Sequence, residues 1–87
     1  MELTTTTQLS GRERAILRAV ATGGAELAWG AEPDLLFDGR FCCDQPAAHR
    51  LARAGFIAPL GACAAGQRVG ATVTEAGLRE LGVLAAA

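Results

Sequence analysis

Lysine is missing from these 87 residues, and serine and histidine occur once each, as Ser10 and His49. A serine–histidine pair elsewhere in the chain is therefore ruled out. The glycine pairs do not match a phosphate-binding loop, and no nucleophile stands beside a base, so catalysis is not expected. No apolar run approaches the roughly 20 residues that a membrane helix needs. Residues 1–8 hold Glu2 and a threonine run instead of a basic start with an apolar core, so a cytoplasmic protein is expected. A formal net charge of −1 gives no general attraction to polyanions, and nucleic-acid binding would have to come from local clustering.

Cysteine is scarce and odd in number: Cys42, Cys43 and Cys63, two of them adjacent. This argues against a disulfide framework and for free thiols. With His49 they include enough ligand types for tetrahedral zinc, but no C-x-x-C pair is present, and thiols filling small spaces are the commoner outcome. A redox switch next to Arg40 is the other reading of the thiols. Glu32, Asp34 and Asp38 lack calcium-loop spacing and read as solvated carboxylates. No cofactor or metal is expected.

The composition is that of a folded protein, 51% hydrophobic and 20% charged. A chain of this size supports one domain that buries roughly 60–65% of its unfolded surface. We expect a loose arm over 1–8 and a single domain over 9–84. Its charges are segregated: Glu26, Glu32, Asp34 and Asp38 precede Arg40, Arg50, Arg53 and Arg68, with only Asp44 against the latter. All eight bases are arginine, alongside abundant alanine and glycine, which points to GC-rich coding more than to selection for guanidinium chemistry.

The stretch 44–59 reads as a helix passing into a strand. Asp44 can cap the first turn, Pro46 is free of cost there, and Gly55 permits a left-handed terminus. Ala47, Ala48, Leu51 and Ala54 form an apolar side, while His49, Arg50 and Arg53 share the other. Upstream, Ser10-Gly11-Arg12-Glu13 fits a capping box, Ile16, Leu17 and Val20 give a buried stripe, and Gly23-Gly24 ends a helix predicted over 10–22. Residues 25–29 alternate as a brief strand, with Trp29 either packed or at an interface. Asp38-Gly39 between apolar groups predicts a two-residue hairpin across 35–42, with a short helix after Pro33 as the alternative. Strands over 56–60 and 69–73 flank a small-residue tip and form a second hairpin. Thr72 or Thr74 can cap a last helix over 74–83, and Ala85–Ala87 should fray.

From Ala47 to Leu81 the chain reads helix, Gly-Phe-Ile, strand, glycine-containing tip, Gln-Arg-Val, strand, and Thr74-Glu75-Ala76-Gly77-Leu78. This order resembles the second half of winged helix-turn-helix domains of the MarR-like type. There a recognition helix runs into a hairpin and an LT-x-x-G segment opens the next helix. The resemblance implies a small bacterial α+β winged-helix protein with three main helices and a wing in its C-terminal half. It makes 44–54 the recognition helix in the major groove and 56–73 the wing. Gln45, His49, Arg50 and Arg53 would then meet bases and phosphates, with Gln67 and Arg68 adding wing contacts. Residues 30–43 depart from the family pattern: a helix belongs there, yet the stretch holds Pro33, the Asp-Gly turn and acids that would repel phosphate.

The expected function is double-stranded DNA binding, as a compact transcriptional regulator, and a homodimer would suit the small size and an inverted-repeat site. The alternative is a winged-helix protein-interaction module that uses the acidic 26–38 segment or an apolar patch around Trp29, Phe37 and Phe41.

Overall fold

A computed structural model describes residues 9–62 and 64–83. The expected N-terminal arm and the fraying C-terminal alanines lie outside them. The element order is α1 (Gly11–Ala21), β1 (Ala25–Ala28), β2 (Asp34–Phe37), β3 (Arg40–Phe41), α2 (Gln45–Arg53), β4 (Ile57–Pro59), β5 (Arg68–Val73) and α3 (Glu75–Glu80). The five strands form one antiparallel sheet in the order β3-β2-β1-β5-β4. This is a small α+β domain with three helices among the described residues, none of them long and apolar enough to cross a membrane.

Both predicted helix starts are closed by the expected side chains. Ser10 Oγ accepts from Glu13 N–H at 3.1 Å and Glu13 Oε1 accepts from Ser10 N–H at 2.8 Å, completing the capping box. Asp44 Oδ1 accepts from Ala47 N–H at 3.1 Å at the head of α2. Helix α2 ends at Gly55, whose φ of 82° lets Phe56 N–H reach back to Leu51 O at 2.9 Å. Phe56 is thereby driven into the core beside Leu51.

The stretch 34–41 is a hairpin and not the short helix kept as its alternative. Asp38 and Gly39 take φ of 51° and 78°, the left-handed pair that matches the twist of the strands they join. The last helix is shorter than the predicted 74–83. Gly82 adopts φ 78° and Val83 N–H bonds to Leu78 O at 2.9 Å, a terminus that closes the helix after Glu80. Thr74, not Thr72, is its cap, accepting from Gly77 N–H at 3.1 Å. Strand β4 also stops early, at Pro59, leaving Leu60 exposed over Gly70.

Strand β1 lies at the centre, paired on one side with β2 and on the other with β5. Strand β5 divides its ladder: Arg68–Gly70 pair with β1, and Ala71–Val73 pair with β4. The second hairpin is thus welded into the main sheet along its returning strand. Helix α1 packs against β5 and α2 against β2, which closes the core over Leu17, Leu27, Leu35 and Leu51, all at or below 1% exposure. Burying each such leucine contributes roughly 1.5–3 kcal/mol.

Gly77 shows how closely α3 is seated. A Cβ there would lie 2.5 Å from Phe56 O and 2.6 Å from Val73 Cγ1, whereas at Gly70 it would meet only the movable end of Leu60. We expect Gly77→Ala to destabilise the domain by about 1–3 kcal/mol and Gly70→Ala by less than about 1 kcal/mol. Urea midpoints of the two variants measure this, and equal midpoints would show that α3 is not docked on the Phe56 carbonyl.

Candidate functional site

The amphipathic pattern of α2 turns His49, Arg50 and Arg53 away from the core, and each meets an acid of its own chain. Arg50 Nε donates to Glu13 Oε2 at 2.7 Å, bridging α2 to the capping box of α1. Arg53 Nη2 donates to Glu32 Oε2 at 2.9 Å. His49 stands between two carboxylates, with Nε2 2.8 Å from Asp34 Oδ1 and Nδ1 3.4 Å from Glu32 Oε1. Its side chain is only 19% exposed, so the ring is mostly covered instead of standing out from the helix. Glu32 and Asp34 of the acidic segment therefore share one mixed surface with the basic face of α2.

Gln45, expected at the groove-facing start of the helix, has an inward duty. Its Oε1 accepts from Leu35 N–H, and its Nε2 donates to Leu35 O and Cys42 O, all at 2.9 Å. The amide takes the place of the next rung of the β2–β3 ladder and ties that hairpin to α2. Gln67 closes the tip of the second hairpin, where its Oε1 accepts from Ala64 N–H at 2.8 Å and its carbonyl accepts from Trp29 N–H at 2.9 Å. Arg68 is exposed at the start of β5, opposite Ala28. The structure thus brings His49, Arg50 and Arg53 together and places Gln67 and Arg68 on the second hairpin.

Two concavities flank this surface. One, about 360 Å³, lies between Trp29, Pro33, Ala52 and Ile57, with His49 and Arg53 at its wall. The other, about 610 Å³, is an open groove between α1 and β3, lined by Ile16, Phe37 and Phe41 with Arg12 and Arg40. The apolar patch expected around Trp29, Phe37 and Phe41 is therefore split. Trp29 belongs to the first concavity and the two phenylalanines share the second. Phe41 is 61% exposed, one of three large apolar side chains left open among the described residues, with Leu60 and Val83.

Cys42 is half-buried and Cys43 exposed, both as free thiols on the groove wall, while Cys63 lies outside the described residues. Among the described residues no group of three or more histidine, cysteine, aspartate or glutamate side chains could hold a metal ion. No protein-family model, curated protein or solved structure matches the chain.

Glu13 is the buried member of the charged set. The Ser10 N–H, followed by the Arg50 guanidinium, holds its carboxyl below the ordinary value of 4.5, against a smaller opposing effect of burial. A carboxyl lowered in the folded state adds stability that is present above its unfolded value. That stability is lost as pH falls through the folded one. Glu13→Gln should therefore lose about 1–2 kcal/mol near pH 7. The gap to wild type should narrow below about pH 4.5. Parallel urea titrations at neutral and acid pH check this, and a gap independent of pH would exclude the charge as its source.

Proposed function

We propose that the chain is a protein-interaction module on a winged-helix-like frame, and that its binding surface is the groove between α1 and β3. The observation that carries this reading is Phe41, left 61% exposed in an apolar groove of about 610 Å³. An aromatic side chain exposed beside an apolar concavity is the kind of residue that anchors protein interfaces. The helix–strand–strand–helix order from α2 to α3 supports the winged-helix frame. Within that frame the hairpin β2–β3 stands where a helix would precede the recognition helix.

Double-stranded DNA binding through α2 and the second hairpin is the second reading. It is favoured by the side chains of Arg50 and Arg53, still 55% and 65% exposed despite their ion pairs. The exposed Arg53–Glu32 pair contributes only about 0–1 kcal/mol, so a phosphate could exchange for that carboxylate. Against it, Glu13 and Glu32 stand within bonding distance of the two arginines that would neutralise phosphate. The protein reading needs no such exchange.

The two readings separate in one pair of experiments. Mixed-sequence duplex DNA is titrated at low and at moderate salt with wild type and with an Arg50→Ala/Arg53→Ala variant. Wild type and a Phe41→Asp variant are then compared as baits for partner proteins. We expect no salt-steep DNA complex, and a partner retained by wild type and by the double-alanine variant but lost by Phe41→Asp. DNA binding that is tight at low salt, falls steeply with salt and disappears in the double-alanine variant would establish the second reading instead.

A further inference from the structure

Resting on the protein-binding reading, we propose that the groove takes an extended, acidic segment of the partner, which adds to the sheet as a strand beside β3. Strand β3 is an outer strand of the sheet. Its ladder with β2 pairs Phe37 with Arg40 and Leu36 with Phe41, and Cys42 N–H bonds to Leu35 O at 2.9 Å. Antiparallel pairs alternate between bonded and non-bonded, so the bonded pairs are Leu35 with Cys42 and Phe37 with Arg40. Phe41 therefore turns both its N–H and its C=O outward, toward the open edge. An incoming strand would find one complete pair of backbone groups beside an exposed aromatic ring.

The opposite edge of the sheet is less suited. Strand β4 carries Pro59, which has no N–H to offer, and proline on an edge strand commonly blocks pairing. The β3 edge carries no proline. Alternate side chains of a strand laid along it would enter the groove against Ile16 and Phe37.

Charge chooses the partner. Arg12 and Arg40 line the groove, and the acid among its lining residues is Asp44. That carboxylate is already engaged, with Oδ1 accepting from Ala47 N–H at 3.1 Å and Oδ2 3.5 Å from Arg12 Nη1. Carboxylates on the incoming strand would meet Arg40 and would share Arg12 with Asp44. A second copy pairing edge to edge about a two-fold axis would set Arg40 near its own counterpart, and like charges across strands are unfavourable. The same arginine thus deters self-pairing and admits an acidic strand.

The test begins with phage-displayed random dodecapeptides selected on the wild-type chain, with Phe41→Ala as the counter-selection bait. The exposure of Phe41 makes that variant compatible with folding, and the near-ultraviolet signal of Trp29 verifies it. Enriched peptides are then titrated onto isotope-labelled protein, alongside copies N-methylated at alternate backbone amides. We expect enriched sequences to interleave aspartate or glutamate with apolar residues. Their affinity should fall at least tenfold in Phe41→Ala and in Arg12→Ala/Arg40→Ala. One N-methylation register should abolish binding, and the Phe41 amide should gain protection from hydrogen exchange.

The proposal is overturned if enriched peptides are basic or neutral, or if N-methylation in either register is without effect. It is likewise overturned if resonance shifts map to the Trp29 concavity, if no peptide is enriched over the Phe41→Ala bait, or if wild type self-associates through Phe41. A captured partner that is lost in Phe41→Asp but not displaced by the acidic peptide would overturn the strand-addition proposal and leave the protein-binding reading standing.

Discussion

The carboxylate of Glu13 sets the relation between the two helices on which the surface depends. A largely buried carboxylate must be fully partnered, and Glu13 finds its partners in the Ser10 N–H at 2.8 Å and the Arg50 guanidinium at 2.7 Å. One group therefore starts α1 and fixes how α2 crosses it. With α2 held, Gln45 reaches the open end of the β2–β3 ladder and His49 reaches Asp34. The core leucines beneath hold that orientation by their own burial, and it decides which side chains of α2 reach the hairpin and the acids beside it.

Much of this was legible from local chemistry. Ser10 with Glu13, Asp44 with Pro46, Gly55, and Asp38-Gly39 each mark an element boundary through a bond or a dihedral that those residues alone provide. The error at the last helix has the same local character. Gly82 carries a stop signal as clear as Gly55, but the apolar positions around it read as a continuing helix. What could not be read were relations between distant residues. Glu13 and Arg50 are 37 positions apart, and nothing in their spacing pairs them. Segregation of acidic and basic stretches was visible in the chain. It did not show that Glu32 and Asp34 would meet the histidine and an arginine of α2 in particular.

Gln45 illustrates why a candidate site residue is hard to judge by position on a helix wheel. At the first turn of α2 it occupies a place from which a glutamine could read a base edge. A two-residue edge strand cannot complete its own ladder, however, and leaves polar groups at Leu35 and Cys42 in a partly buried setting. An unmade bond there would cost about 1–3 kcal/mol, and the three bonds of one amide remove the deficit. The shortness of β3, more than the periodicity of α2, decides what Gln45 does.

The same shortness explains the groove. Two residues of β3 extend the sheet one strand past β2, too little to cover the apolar side of α1 at Ile16 or to hide Phe41. Enlarging the apolar core in so small a chain would favour stability, yet the surface here is divided unevenly. Among the described residues, Arg50 and Arg53 on the α2 side are paired with acids, while apolar area and unpaired backbone are left on the α1–β3 side. Matched charges gain little from a further partner, because each new contact must first replace an existing one. Exposed apolar surface and an open strand edge carry no such cost. The contrast between these two sides is the physical reason for proposing recognition at Phe41 and not at Arg50 and Arg53.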